Sequence, residues 1–84
     1  MKFMVHVFVL PHDDLRDPQG AAVQDAMQRL GLKADRVRVG KTIRFQLEAQ
    51  DRAQAEAQVQ DISKKLLSNP VIERFWFKVE EGEG

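Results

Sequence analysis

From Phe3 to Leu10 the chain is apolar except for His6. In an extended chain Phe3, Val5, Val7 and Val9 fall on one side, and Met4, His6, Phe8 and Leu10 on the other. A run from Lys2 to Leu10 that is rich in β-branched and aromatic residues and apolar on both sides predicts a central strand. Pro11 ends it, and His12–Arg16 reads as a polar loop. Asp17-Pro18 is a helix start: the carboxylate can accept from unpaired backbone N–H groups, and proline suits the first helical position. Val23, Met27 and Leu30 follow at i, i+4 and i+7, and Gly31 stands where a left-handed end residue belongs, so the helix spans about Pro18–Leu30.

Arg36–Val39 and Thr42–Leu47 both alternate, and Gly40-Lys41 lies between them. That pattern predicts a hairpin with Val37, Val39, Ile43, Phe45 and Leu47 towards the core and Gly40 in the turn. Asp51 followed by Gln54 resembles a capping box, and Ala55, Val59, Ile62 and Leu66 form one helical stripe. Ser68-Asn69-Pro70 stops this second helix. Val71–Glu80 alternates again, with Phe75, Phe77 and Val79 on one face and Ile72, Arg74, Trp76 and Lys78 on the other. The expected unit is a single domain over 1–80, with a flexible acidic tail at 81–84.

The order β-α-β-β-α-β is the ferredoxin-like α+β pattern, an antiparallel sheet with two helices on one face. Its other face is left open. Met4, Phe8, Ile72 and Trp76 lie near the middle of that face, with Arg36, Arg38, Arg44, Arg74 and Lys78 around them. An apolar centre with a charged surround predicts self-association. At 84 residues the chain holds one small core, and it has no cysteine to staple it. Small domains without staples often gain stability by associating.

Lys and Arg balance Asp and Glu at 13 each. Zero net charge disfavours a general nucleic-acid or membrane binder. No apolar run approaches a bilayer span, and the start lacks the marks of a signal peptide, so a cytoplasmic location is expected. The window Lys33–Arg44 carries a local charge of +4, and Arg38 and Lys41 are its candidate partner contacts.

No catalytic constellation emerges. Ser63 and Ser68 have no adjacent base, and Asp13-Asp14 reads as a solvated loop. His6 and His12, even with Asp13, are weak grounds for a metal site. Gly40-Lys41-Thr42 lacks the upstream glycine and following helix of a phosphate loop. The anion-cradling loop of the acylphosphatase topology is absent, since Pro11–Arg16 has no glycine. A stand-alone ligand- or RNA-binding module remains the alternative, with Phe8 and Trp76 as its aromatics, but Phe45 has core-facing parity and the RNA motif's glycine-aromatic core is missing.

Three blocks taken together resemble the PurS family: Asp17-Pro18-Gln19-Gly20, Val37-Arg38-Val39-Gly40-Lys41 and Leu66–Glu73, which includes Asn69-Pro70. The resemblance covers almost the whole chain. It implies a non-catalytic small subunit of phosphoribosylformylglycinamidine synthase, in de novo purine biosynthesis. It implies a homodimer or homotetramer that bridges a glutaminase (PurQ-type) and a synthetase (PurL-type) subunit and assists ammonia transfer. ATP, magnesium and glutamine would be used by those partners, with no cofactor or metal in this chain. Asp17, Pro18, Gln19, Gly20, Gly40, Asn69 and Pro70 would serve the fold. The turn Pro11–Arg16 departs from the family's usual Lys- and Gly-containing turn.

Overall fold

The strand predicted at the N-terminus is the centre of the molecule. A computed structural model describes residues 1–82. In chain order it has β1 (Lys2–Pro11), α1 (Pro18–Arg29), β2 (Lys41–Glu48), α2 (Arg52–Ile62), a π-helical turn (Ser63–Leu67) and β3 (Glu73–Glu81). The sheet is antiparallel with the order β2-β1-β3. The register sets His6 opposite Arg44 on one side and Lys78 on the other, and Phe8 opposite Thr42 and Trp76.

The odd-numbered face of β1 makes the core. Phe3, Val5, Val7 and Val9 are buried with Ala55 and Val59 of α2, Ala49 and Val79. Ile43, Phe45, Leu47, Leu67, Phe75 and Phe77 pack around them, half-buried. Fully burying a side chain of this size contributes roughly 1.5–3 kcal/mol. The Asp51 cap forms as read, its Oδ1 accepting from Gln54 N–H at 2.8 Å. Gln54 reaches back to the N–H of Gln50 at 2.7 Å.

The α+β class and the antiparallel sheet stand, but the first half of the expected hairpin is not a strand. Arg36–Val39 runs as an unpaired segment, and Arg36 sits at φ 54°. Side chains occupy the N–H groups a ladder would use: Val37 N–H donates to Gln24 Oε1 at 3.2 Å and Val39 N–H to Asp17 Oδ2 at 2.9 Å. The four expected strands are therefore three among the described residues.

The end of α2 also differs. Ala55 and Val59 are buried as expected, but Ile62 and Leu66 turn outward, and Ser63 and Leu67 take the inner positions. Wider π winding, closed by Ser68 N–H donating to Ser63 O at 3.0 Å, keeps residues four apart on one side. The tail is shorter than the sequence suggests: Glu81 pairs opposite Phe3, and Gly82 N–H donates to Lys2 O at 2.8 Å. Residues 83–84 of that expectation lie outside the described residues.

α1 forms where the sequence places it, and Gly31 follows its end at φ 97°. Yet its only buried residue is Gly20. The Cα radius of gyration is 16.1 Å, against roughly 12 Å for a compact chain of this length. The molecule measures 49 × 28 × 14 Å, elongated rather than rounded.

Candidate interaction site

Asp17 joins two distant stretches of chain. Its Oδ1 accepts from Gly20 N–H at 3.0 Å, capping α1, and its Oδ2 accepts from Val39 N–H. The Val39 bond, then the Gly20 bond, hold its carboxyl below the ordinary carboxylate value, and the nearby Arg38 charge adds to them. Gln28 Nε2 donates to Ala34 O at 2.9 Å, and Gln24 holds Val37. These bonds stitch α1 and the returning segment 34–39 into one arm. Sequence reasoning missed Gln24 and Gln28; their spacing of four on one helix was the available signal.

Arg38, expected as a partner contact, is half-buried and tied into its own chain. Its guanidinium donates to the carbonyls of Leu15 and Asp13, fastening the loop 11–16 to the arm. His12 N–H anchors the same loop by donating to Ile72 O at 3.0 Å. Arg36, Arg38 and Asp13 line a crevice of about 250 Å³. Lys41 is exposed at the start of β2 and lines a separate crevice of about 280 Å³ with Phe8, Gly40, Thr42 and Trp76. The role of Gly40 is close approach: a Cβ there would lie 2.0 Å from Val9 O. Its φ is not in the left-handed region, so the turn expected at Gly40 is replaced by a packing contact.

On the open face the structure brings Phe8 and Trp76 together, ring centroids 5.5 Å apart and nearly parallel. Arg74 lies over the Trp76 ring at 5.6 Å, and its Nη2 is 3.8 Å from Asp13 Oδ1. Trp76 remains 44% exposed. Met4 shares the face but lies away from this pair, opposite Glu80; Ile72, expected on the same face, sits in the turn before β3 and outside the sheet. Arg44, His6 and Lys78 form a basic row between Met4 and the aromatic pair. Arg36 and Arg38, expected around this face, belong to the arm instead.

Asn69 shapes the turn into β3. Its carbonyl accepts from Ile72 and Glu73 N–H, and its Oδ1 accepts from Val71 N–H at 3.2 Å. Pro70 follows within that turn. All three motif blocks therefore have structural work in this fold: the Asp17–Gly20 helix start, the Val37–Lys41 return and the Asn69-Pro70 stop.

The family model for PurS, phosphoribosylformylglycinamidine (FGAM) synthase, matches residues 4–81. This chain belongs to the PurS family. A PurS subunit of phosphoribosylformylglycinamidine synthase from Synechocystis is 39% identical over 79 residues, 93% of this chain and 79% of that protein. The PurS subunit of Bacillus subtilis is 36% identical over 80 residues, 94% of each chain. Among solved structures, Thermus thermophilus PurS superposes with a TM-score of 0.90 at 27% identity, covering 99% of this chain and 100% of that one. A chain of the PurLQS structure from Thermotoga maritima gives 0.87 at 28% identity, covering 94% and 98%.

Among the described residues no group of three His, Asp or Glu is placed to hold a metal ion. No helix of the described residues is long and apolar enough to cross a membrane.

Proposed function

We propose that this chain is the non-catalytic small subunit of a formylglycinamidine ribonucleotide synthase complex in de novo purine biosynthesis. It self-associates and bridges a PurQ-type glutaminase and a PurL-type synthetase subunit in the cytoplasm. Glutamine, ATP and magnesium belong to those partners. Ammonia released into water takes up a proton and ceases to be a nucleophile. A subunit that aligns donor and acceptor sites therefore matters without carrying a reactive group. The observation that carries this reading is the family match across residues 4–81 on a chain whose exposed features are surfaces. The apolar set Met4, Phe8, Ile72 and Trp76 serves association between copies, and the exposed Lys41 is a contact for a larger subunit.

The test is assembly. The purified chain is mixed with both larger subunits plus ATP and glutamine, and the products are separated by size. A three-component species that requires this chain supports the reading, as does the chain alone consuming neither ATP nor glutamine. If the larger subunits assemble equally well without it, or if it turns over either substrate alone, the reading is wrong.

A further inference from the structure

We propose that the crevice between the loop 11–16 and the returning segment 36–38 is a binding site for a free α-amino acid. Arg36 and Arg38 take its carboxylate, and Asp13 takes its ammonium group. The site is separate from the surfaces assigned to association and assembly, and its test uses this chain alone.

The fold builds the crevice from stretches more than twenty positions apart. Asp13, Arg36 and Arg38 line it, and its volume is about 250 Å³. The bonds from Val37 N–H to Gln24 and from Val39 N–H to Asp17 fix the backbone that carries both arginines. Arg36 takes the left-handed region at φ 54°, which is rare for a residue with a side chain. Such conformations cluster at functional sites, where the surroundings hold the backbone against its preference.

The charges that line the crevice do not neutralise one another. Asp13 forms its ion pair with Arg74, at 3.8 Å to Oδ1, and with neither arginine of the crevice. Arg36 is exposed, and no ion pair holds its guanidinium among the described residues. Arg38 gives one proton from Nη1 to the Leu15 carbonyl and one from Nη2 to the Asp13 carbonyl. A guanidinium carries five N–H donors, so Nε–H and one proton on each Nη remain. Two guanidiniums with free donors on a fixed backbone match the planar oxygens of a carboxylate. The Asp13 carboxylate in the same crevice is an acceptor for a cation.

Other ligand classes fit less well. A phosphate or another plain oxyanion would meet the negative charge of Asp13. A metal ion would meet two guanidiniums, and no group of three His, Asp or Glu is placed to hold one among the described residues. Ligand sites run to roughly 300–1,000 Å³, so this crevice is at the small end and suits a molecule of amino-acid size rather than a nucleotide. In an α-amino acid one carbon joins the two charged groups. Both signs of charge in one small crevice are then satisfied together.

Occupancy reaches the open face through Arg74. Its guanidinium lies over the Trp76 ring at 5.6 Å and beside Asp13. An ammonium group on Asp13 competes with Arg74 for the carboxylate and alters the charge above the ring. Trp76 is the one tryptophan of the chain, so its emission reports the site.

The experiment titrates the full chain with the standard amino acids one at a time. Acetate, methylammonium and inorganic phosphate serve as controls that carry one sign of charge. Calorimetry reads affinity and stoichiometry, and Trp76 emission reads the coupling. At least one amino acid is expected to bind one per chain with Kd below about 1 mM, and every control at least about tenfold more weakly. Arg36→Gln and Asp13→Asn, both at exposed side chains, should keep the unfolding midpoint and each weaken binding about tenfold. Arg74→Gln should keep the heat of binding and lose the emission change. Failure of every amino acid to bind would overturn the proposal. Acetate or phosphate binding as tightly as any amino acid would overturn it in favour of a plain anion site. Binding that survives both Arg36→Gln and Asp13→Asn would overturn the placement in this crevice.

Discussion

Asp17 and Val39 are 22 positions apart, yet the Asp17 carboxylate accepts the Val39 N–H at 2.9 Å while its other oxygen caps α1. One side chain thus fixes where the helix begins and where the chain returns to the sheet. An amide cannot replace it in full. Asparagine at this position would offer one acceptor oxygen and turn a donor towards the second N–H. Asp17→Asn is therefore expected to lower the denaturant midpoint, and Asp17→Ala to lower it further.

The same bonds make stability depend on pH. They depress the carboxyl pKa from its ordinary 3.8, so their contribution is present above that value. It is lost as pH falls below 3.8 through the folded-state value. A denaturant series from pH 6 down to about pH 2 checks this. Asp17→Asn should show a smaller acid loss than the parent chain; identical pH profiles would remove Asp17 from that role.

Gly20 sits in the first turn of α1, where alanine is usually a better helix former. Here an added Cβ would lie 2.3 Å from Val37 O and 2.6 Å from Asp17 Oδ2. Gly20→Ala should therefore destabilise, by roughly 1–3 kcal/mol as overpacking does. Urea unfolding measures it, and a stabilised variant would contradict the close approach of helix and return segment.

Arg38 and Lys41 look equivalent in sequence but should behave differently. Arg38→Ala breaks two bonds that hold the loop 11–16 and should cost about 1–2 kcal/mol. Lys41→Ala removes an exposed charge and should change stability by no more than ~0.5 kcal/mol. If Lys41 meets acidic surface on a larger subunit, its loss weakens assembly most at low salt. Unfolding midpoints and salt-dependent binding on each variant separate the two roles.

Trp76→Glu places a charge beside Phe8 on the open face while leaving the opposite, core-facing side untouched. Losing the Phe8 stacking and the Arg74 contact should cost the fold roughly 1–2 kcal/mol. Association through this face should weaken at least about tenfold, equivalent to ~1.4 kcal/mol. Sedimentation across a concentration series measures the shift, and an unchanged profile would place Phe8 and Trp76 outside any interface between copies.

Much of the fold was legible because local physics and tertiary packing agree. The odd residues of β1 are apolar because they are the core, and Asp17 and Asp51 precede helices because they cap them. Agreement failed where a distant side chain decides the backbone. Val37 and Val39 alternate like a strand, but Gln24 and Asp17 take their N–H groups. The stripe through Ile62 and Leu66 assumed ordinary winding, which the π turn at Ser63–Leu67 replaces. The acidic end read as loose, although backbone pairing needs no apolar side chain at Glu81. For the site, the Phe8–Trp76 pairing followed from strand parity. The binding of Arg38 to the loop carbonyls was invisible, because it joins residues more than twenty positions apart.

The bridging role is tested most directly by comparing two nitrogen sources. The synthetase and glutaminase subunits are assayed for formylglycinamidine ribonucleotide formation with glutamine or with ammonium chloride, each with and without this chain. The account predicts that glutamine-driven synthesis rises steeply when the chain is added, while ammonium-driven synthesis changes little. Equal glutamine-driven rates with and without the chain would contradict it.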